Sequence, residues 1–149
     1  LVVHHQNRGF EVPRLGRAGL DQIVQVRLPL EILALEAARA HYTPEAVAQL
    51  RRLQADLLNA FRQGGILACS GPDFAFHHAV WEMGGNPWLM AALARVSMPY
   101  FAYVSAFNLG RRDHSAELME RMHGLYVGYI EGTGSESASD CVTFHLGLD

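Results

Sequence analysis

Two side chains with metal-ligating chemistry, Asp73 and His77, are spaced four residues apart in a segment with helical patterning. Residues at this spacing project from one face of a helix, so the carboxylate and the imidazole would point in the same direction. Such a pair can share one metal ion. Asp73 would also lie in the first helical turn, where the helix dipole favours a negative charge without any metal. The pair alone leaves both interpretations open.

Two further histidines fall on predicted buried faces. The first face belongs to a fifth helix and is formed by Met119, His123, Tyr126 and Ile130. The second belongs to a sixth helix, on which His145 aligns with Ala138 and with Val142 or Cys141. A buried imidazole needs a partner for each ring nitrogen, and a lone one is usually satisfied by a carbonyl or a carboxylate. Two of them beside an Asp/His pair make a shared metal site an equally good explanation.

The other histidines have ordinary explanations. His4 and His5 are predicted in a hairpin turn, and His114 in a polar loop. His41 ends the first helix, where the dipole favours a partly cationic ring. His78 is rotated by about 100° from His77 around the helix and would point elsewhere.

Composition limits what kind of protein this is. The chain has 149 residues, 50% of them hydrophobic, and a formal net charge of -3. This length fits one domain, and the slightly negative charge argues against a surface that binds nucleic acid. Two cysteines without CxxC spacing, and no visible secretory signal, predict a cytoplasmic location.

A membrane span is not expected. The stretch 88–107 is nearly all apolar, but Pro99 interrupts it and Arg95 would lie near its centre. A charge at that depth costs roughly 2.5–3.5 kcal/mol. A buried core helix is the better interpretation.

The patterning predicts an all-α fold, an antiparallel bundle of about six helices preceded by a short β-hairpin. The hairpin is predicted within residues 1–12. The first helix begins near Leu20, and its predicted buried stripe consists of Ile23, Val26, Leu30, Leu33 and Ala37. Pro29 lies within this stripe, so it should either kink the helix or mark its first turns.

Capping residues predict where the later helices begin and end. Thr43-Pro44-Glu45 should start the second helix, and Gly64-Gly65 should end it. The third should run from near Pro72 to Gly84-Gly85, and the fourth from Asn86-Pro87 to about Phe107. Asp113 or Ser115 should cap the fifth, which ends near Gly132, and Ser135 should cap the sixth.

Motifs spread over the whole chain resemble one family. Asn7-Arg8-Gly9-Phe10-Glu11-Val12 looks like the end of a winged-helix wing, and Val26-Arg27 with Leu30-Glu31 looks like the motif of the first helix that follows it. Asp73-Phe74-Ala75-Phe76-His77, Gly85-Asn86-Pro87, His123, Tyr129-Ile130-Glu131-Gly132 and His145-Leu146 follow in the family's order. The chain therefore resembles the FadR C-terminal (FCD) domain of GntR-type bacterial transcription regulators.

The resemblance implies a ligand-sensing domain rather than an enzyme. By motif position, a buried divalent metal would be held by Asp73, His77, His123 and His145. Zn²⁺ and Ni²⁺ suit this donor set best, and Mn²⁺ is the third candidate. One departure concerns Met122, because the family usually places an acid directly before the histidine that corresponds to His123.

Three residues are candidates for the effector pocket. Arg27 matches a position near the pocket and could clamp a carboxylate bidentately, although an ion pair with Glu31 explains it equally well. Asn86 and Ser97 on the fourth helix are weaker candidates, and Asn86 is better explained as a helix N-cap.

The resemblance also implies the partners. Residues 1–15 would be a wing remnant with a linker, and residues 16–149 the effector- and metal-binding domain. A small carboxylate would bind at the metal, and the domain would form a homodimer. Operator DNA would be contacted only through the winged-helix domain, most of which the sequence lacks. Binding of the effector would change how the attached domains face the DNA.

Two alternatives use the same residues differently. A small metal-dependent hydrolase could activate water at the Asp/His₃ site, but the sequence has no HExxH motif, no GxSxG motif and no phosphate loop. A metal-free relative could bind an acyl-type ligand while its histidines only pack. Loss of ligand affinity on chelation would argue against the second alternative.

Overall fold

Six α-helices account for most of the computed structural model, which describes residues 3–5, 9–11, 16–107 and 115–148. They are α1 (Arg17–Ala40), α2 (Pro44–Gly64), α3 (Ser70–Met83), α4 (Pro87–Phe107), α5 (Ala116–Glu131) and α6 (Ala138–Leu146). A 3₁₀ turn, Gly65–Ala68, links α2 to α3. The predicted all-α bundle of six helices is confirmed. No described helix combines the length and the apolar character that crossing a bilayer requires.

A short antiparallel pair precedes the bundle, as the sequence predicts. Strand β1 (Val3–His5) pairs with β2 (Gly9–Glu11), with Val3 opposite Glu11. His4 and His5 therefore lie in a strand, and their predicted position in the turn is wrong. The origin of this pair as a wing remnant stays a prediction.

Several helix ends follow the predicted capping chemistry. Thr43 Oγ1 accepts a hydrogen bond from the amide of Ala46 at 3.1 Å, with Pro44 as the first residue of α2. Ser115 Oγ accepts from the amide of Leu118 and caps α5. Residues 108–114 lie outside the described part of the chain. They include the predicted loop at 108–112, the alternative cap Asp113 and His114.

The predicted cap of α6 is wrong by two residues. Ser137, not Ser135, caps the helix: its Oγ accepts from the amide of Asp140, whose carboxylate accepts from the amide of Ser137. This reciprocal capping box needs an acid three residues after the cap. Ser135 has Ala138 at that position and cannot form it. Helix α3 also begins earlier than predicted, at Ser70 rather than near Pro72.

The predicted buried stripe of α1 is also wrong. The buried residues are Leu20, Val24, Arg27, Glu31, Ala34, Leu35 and Ala38, whereas Val26 and Leu33 are 50% and 51% exposed. The charged residues Arg27 and Glu31 occupy the middle of the buried face. A prediction based on apolar residues therefore assigns the buried stripe to neighbouring positions instead. Pro29 lies inside α1, which begins at Arg17, and so it does not mark the first turn.

Helices α1, α3 and α4 pack against one another and form the frame around the site. Helices α1 and α3 run parallel, since His77 faces Glu31 while Gly84, further along α3, approaches Ala34 and Ala37. A Cβ placed on Gly84 would lie 3.2 Å from that of Ala37. Glycine therefore permits the close approach of the two helices at this end.

Both cysteines are buried free thiols. Burial raises the pKa of Cys69 and of Cys141 to about 11, from an ordinary value of 9.0. A rise of about two pKa units lowers the thiolate fraction at pH 8 roughly a hundredfold.

Alkylation by iodoacetamide at pH 8 should therefore be about a hundredfold slower in the folded chain than in urea. Mass spectrometry of timed samples measures both rates. Rapid modification of either cysteine in the folded chain would contradict the burial of its thiol.

Candidate metal and effector site

Three helices bring the four predicted metal ligands together. Asp73 and His77 lie one turn apart on α3, α5 contributes His123 and α6 contributes His145. One ligand atom from each residue lies within 4.8 Å of the others. His77 and His123 are fully buried. This is the only such group of histidine, cysteine and acidic side chains found within the described part of the chain.

The hydrogen bonds of His123 leave one ring nitrogen directed at the cluster. Nδ1 lies 2.8 Å from the carbonyl of Met119, which can only accept, so Nδ1 carries the proton. Nε2 lies 2.9 Å from Asp73 Oδ1. If the ring is neutral, Nε2 and Asp73 Oδ1 are both hydrogen-bond acceptors that present lone pairs to each other. Their approach is then favourable only if a cation lies between the two atoms or is bound to one of them. The Met119 carbonyl thus fixes the orientation of the His123 ring.

His77 and His145 are neutral side chains with unused nitrogen atoms. Neither ring nitrogen of His77 has a hydrogen-bond partner, and neither does Nδ1 of His145. Burial lowers the pKa of His77. Burial, together with the adjacent His77 and His123, places the pKa of His145 well below the ordinary value. Neutral imidazoles are the form that binds divalent metals.

Asp73 supplies the anionic ligand. Burial alone would raise its pKa, but the hydrogen bond and charge of His123 outweigh burial, and the pKa is lowered. One carboxylate and three imidazoles form a donor set that suits a divalent transition metal. The unused buried nitrogens of His77 and His145 are therefore consistent with a metal at this position.

A buried ion pair lies beside this cluster. Arg27 Nε donates to Glu31 Oε1 at 2.7 Å, and both side chains are fully buried. Tyr126 donates its hydroxyl hydrogen to Glu31 Oε2 at 3.2 Å, and the same oxygen lies 3.5 Å from Nδ1 of His77. Although burial alone would raise the pKa of Glu31, the charge of Arg27 outweighs burial and holds the pKa well below its ordinary value. Glu31 therefore connects Arg27 to His77, one of the predicted metal ligands.

Only one edge of the Arg27 guanidinium is used by this ion pair. Nη1 and Nη2 are buried and have no hydrogen-bond partner. The guanidinium carbon lies 5.0 Å and 4.7 Å from the ring centroids of Tyr100 and Phe101. The predicted ion pair with Glu31 is confirmed, and the two remaining nitrogens keep a bidentate clamp available.

The two candidates on α4 have different surroundings. Ser97 is fully buried, and its Oγ has no hydrogen-bond partner. Asn86 is exposed, and its Oδ1 accepts from the amides of Trp88 and Leu89, both at 3.1 Å. The capping interpretation of Asn86 is confirmed, and its contacts are those of an N-cap rather than of a pocket residue.

The variant Asn86→Ala should lower the free energy of unfolding by about 1 kcal/mol, since two amides at the start of α4 lose their acceptor. Carboxylate affinity of the metal-loaded protein should stay unchanged. Urea unfolding and calorimetric titration measure the two effects. Weaker carboxylate binding without loss of stability would instead place Asn86 in the effector pocket.

Other histidines stay outside the cluster. His78 stacks near Phe74 and Trp81 at centroid distances of 5.7 Å and 6.3 Å. His41 Nδ1 pairs with the carbonyl of Ala37 at the end of α1, as a C-terminal histidine should. The ordinary explanations predicted for these two residues agree with the structure.

Sequence reasoning missed two contributors to the site. The sequence predicts Glu31 only as a motif residue and ion-pair partner of Arg27, although it also faces His77. Nothing in the sequence analysis points to Trp81, yet its indole Nε1 is buried without a partner. The four-residue step from Asp73 through His77 leads directly to Trp81, and this spacing could have indicated it.

Comparisons with known proteins agree with this architecture. The model of the FCD domain family matches residues 22–148. The HTH-type transcriptional regulator McbR of Escherichia coli K12 is 29% identical over 82 residues, which cover 55% of this chain and 37% of that protein. The solved structure of E. coli McbR/YncC superposes with a TM-score of 0.80 at 20% identity, covering 98% of this chain and 73% of that one. The chain thus spans little more than a third of the curated relative.

Proposed function

Because this chain belongs to the FCD domain family, we propose that it is the metal-dependent, effector-sensing part of a transcription regulator. The observation that carries the proposal is the buried cluster of Asp73, His77, His123 and His145, whose ligand atoms lie within 4.8 Å of one another. Zn²⁺ or Ni²⁺ is the preferred ion, with Mn²⁺ as the third candidate. The role is binding rather than catalysis, in the cytoplasm.

The proposed effector is a small organic acid. A bound divalent metal would supply positive charge and open coordination positions for a carboxylate. Arg27 adds two unpaired guanidinium nitrogens next to the cluster, and Ser97 adds a buried hydroxyl. Since Arg27 is tied to Glu31 and Glu31 faces His77, occupation of the pocket and of the metal site would influence each other.

The relative's printed name and the exposed surface support a proposal for the partners. McbR is an HTH-type transcriptional regulator, so we place residues 1–15 as a wing remnant with a linker and residues 16–149 as the sensing domain. Operator DNA would be bound through a winged-helix domain beyond this chain. Val26 and Leu33 of α1 and Trp88 and Met98 of α4 are at least half exposed, and they offer apolar surface to a second copy in a homodimer.

Metal analysis tests the site. The purified wild type should hold one Zn²⁺ per chain after saturation and gel filtration, His123→Ala should hold almost none, and His41→Ala should match the wild type. Inductively coupled plasma mass spectrometry gives the ratios. Clearly substoichiometric metal in the wild type would contradict the proposal.

Chelation separates the proposal from its alternatives. Small carboxylates of two to six carbons should bind the metal-loaded protein, with loss of binding after chelation, measured by calorimetric titration. Binding that survives chelation would support a metal-free sensor. Turnover of a carboxylic ester that depends on Asp73 would support a hydrolase.

A further inference from the structure

The buried polar side-chain atoms without hydrogen-bond partners in the described residues belong to five residues on α1, α3, α4 and α6. They are Nη1 and Nη2 of Arg27, both ring nitrogens of His77, Nε1 of Trp81, Oγ of Ser97 and Nδ1 of His145. The two histidines belong to the metal cluster. The other three residues lie on α1, α3 and α4, the helices that pack around it. Buried donors in proteins are normally paired, so this concentration points to a ligand.

Helix register places Trp81 and Ser97 on the same side of Arg27. The guanidinium of Arg27 lies against Phe101, which also contacts Phe74 at a centroid distance of 5.8 Å. Ser97 is one turn before Phe101 on α4, and Trp81 is two turns after Phe74 on α3. A short connection joins α3 to α4 and makes them antiparallel. Both residues therefore lie toward that connection, beyond Arg27.

The orientation of Trp81 brings its indole back toward the site. Helical side chains lean toward the N-terminus of their helix, and the Trp81 ring is accordingly 6.2 Å from the ring of His77, one turn earlier. On α4, Ser97 lies about one helical turn, roughly 5.4 Å, from Phe101, the residue against which Arg27 packs. The unpaired donors therefore form two recognition points. Arg27 and the metal ligands form one point, and Trp81 with Ser97 forms the other.

The chemistry of the second point selects the ligand. Arginine and tryptophan can only donate hydrogen bonds, and serine can donate as well as accept. We propose that Trp81 is a specificity-determining residue and that the effector is a small acid with a second acceptor group, most simply a dicarboxylate. One carboxylate binds at Arg27 and the metal ligands, and the far carboxylate accepts from Trp81 Nε1 and Ser97 Oγ. The inference rests on the proposed function and names its ligand class.

A monocarboxylate of the same length fits less well. Its terminal methyl group would face the indole N–H and the hydroxyl and leave both unpaired. Sites that are built to hydrogen-bond one group reject analogues that lack it. Succinate and butyrate share a four-carbon chain and differ in this far group, so they form a matched pair of probes.

The two tryptophans allow a direct test. Trp81 is buried and Trp88 is 86% exposed, so the variant Trp88→Phe keeps Trp81 as the only indole. In its Zn²⁺-loaded form, succinate should bind at least tenfold more tightly than butyrate by calorimetric titration. Succinate should also shift the Trp81 emission. Adding Trp81→Phe should weaken succinate binding about ten- to a hundredfold and change butyrate binding less than about twofold.

Each contrary result has a separate meaning. If Zn²⁺ binds but succinate and butyrate bind equally, or neither binds, the inference is overturned and the metal site stands. Unchanged succinate affinity in Trp81→Phe also overturns it. Failure to bind Zn²⁺ overturns the proposed function itself, and this inference with it. Should Trp81→Phe not fold by circular dichroism, Ser97→Ala provides the same comparison of the two acids.

Discussion

The variant His77→Ala should bind Zn²⁺ more than about a hundredfold more weakly than the wild type. Loss of an outer partner of a ligand already costs about ten- to a hundredfold in metal affinity, and His77 is itself a proposed ligand. Its ring lies 3.6 Å from Asp73 and 3.5 Å from Glu31. Removal would leave the buried carboxylate of Glu31 and the partly buried one of Asp73 without the group between them. Competition with a chromophoric chelator measures the affinity.

The neighbouring residue provides the control for this variant. His78 is on the same helix, but its ring lies against Phe74 and Trp81 rather than in the cluster. His78→Ala should therefore keep the wild-type Zn²⁺ affinity. Saturating Zn²⁺ at about a thousand times its Kd should stabilise the wild type and His78→Ala by roughly 4 kcal/mol, and His77→Ala far less. Equal Zn²⁺ affinity in the two variants would refute the assigned ligand set.

The second large effect concerns stability. Arg27→Met should lower the free energy of unfolding by about 3–5 kcal/mol, because it leaves Glu31 charged and buried without its cation. The double variant Arg27→Met with Glu31→Met should recover most of this loss, since neither charge is then buried alone. Urea unfolding followed by circular dichroism gives both values.

An exposed ion pair serves as the comparison. Arg51 lies 2.6 Å from Glu131, but its side chain is 57% exposed. Arg51→Met should therefore cost at most about 1 kcal/mol. A similar small cost for Arg27→Met would mean that the Arg27–Glu31 pair is not the buried, mutually dependent unit described above.

Helical periodicity was sufficient to identify the candidate metal ligands. Asp73 and His77 share a face by spacing alone, and the apolar neighbours of His123 identify its face as buried. Hydroxyl and proline signals likewise located the starts of α2 and α5. These features are local, and local sequence carries the information that determines them.

The errors arose where tertiary contacts decide the outcome. The stripe predicted for α1 follows apolar residues, whereas the actual buried face carries Arg27 and Glu31 because they neutralise each other there. For the same reason, the sequence does not show that Glu31 faces His77 or that the indole nitrogen of Trp81 is buried without a partner. Which buried polar groups lack partners depends on how separate helices meet, and a single sequence does not show this.

The close contact between Gly84 and Ala37 has a mechanical consequence. Helices α1 and α3 touch almost backbone to backbone at this end, so they cannot move closer there. Any tilt of α1 relative to α3 would therefore pivot at this contact. Arg27 lies about ten residues, or roughly 15 Å, from it along the helix. Since Arg17 lies about twice as far from it, such a tilt would displace Arg17 about twice as much as Arg27.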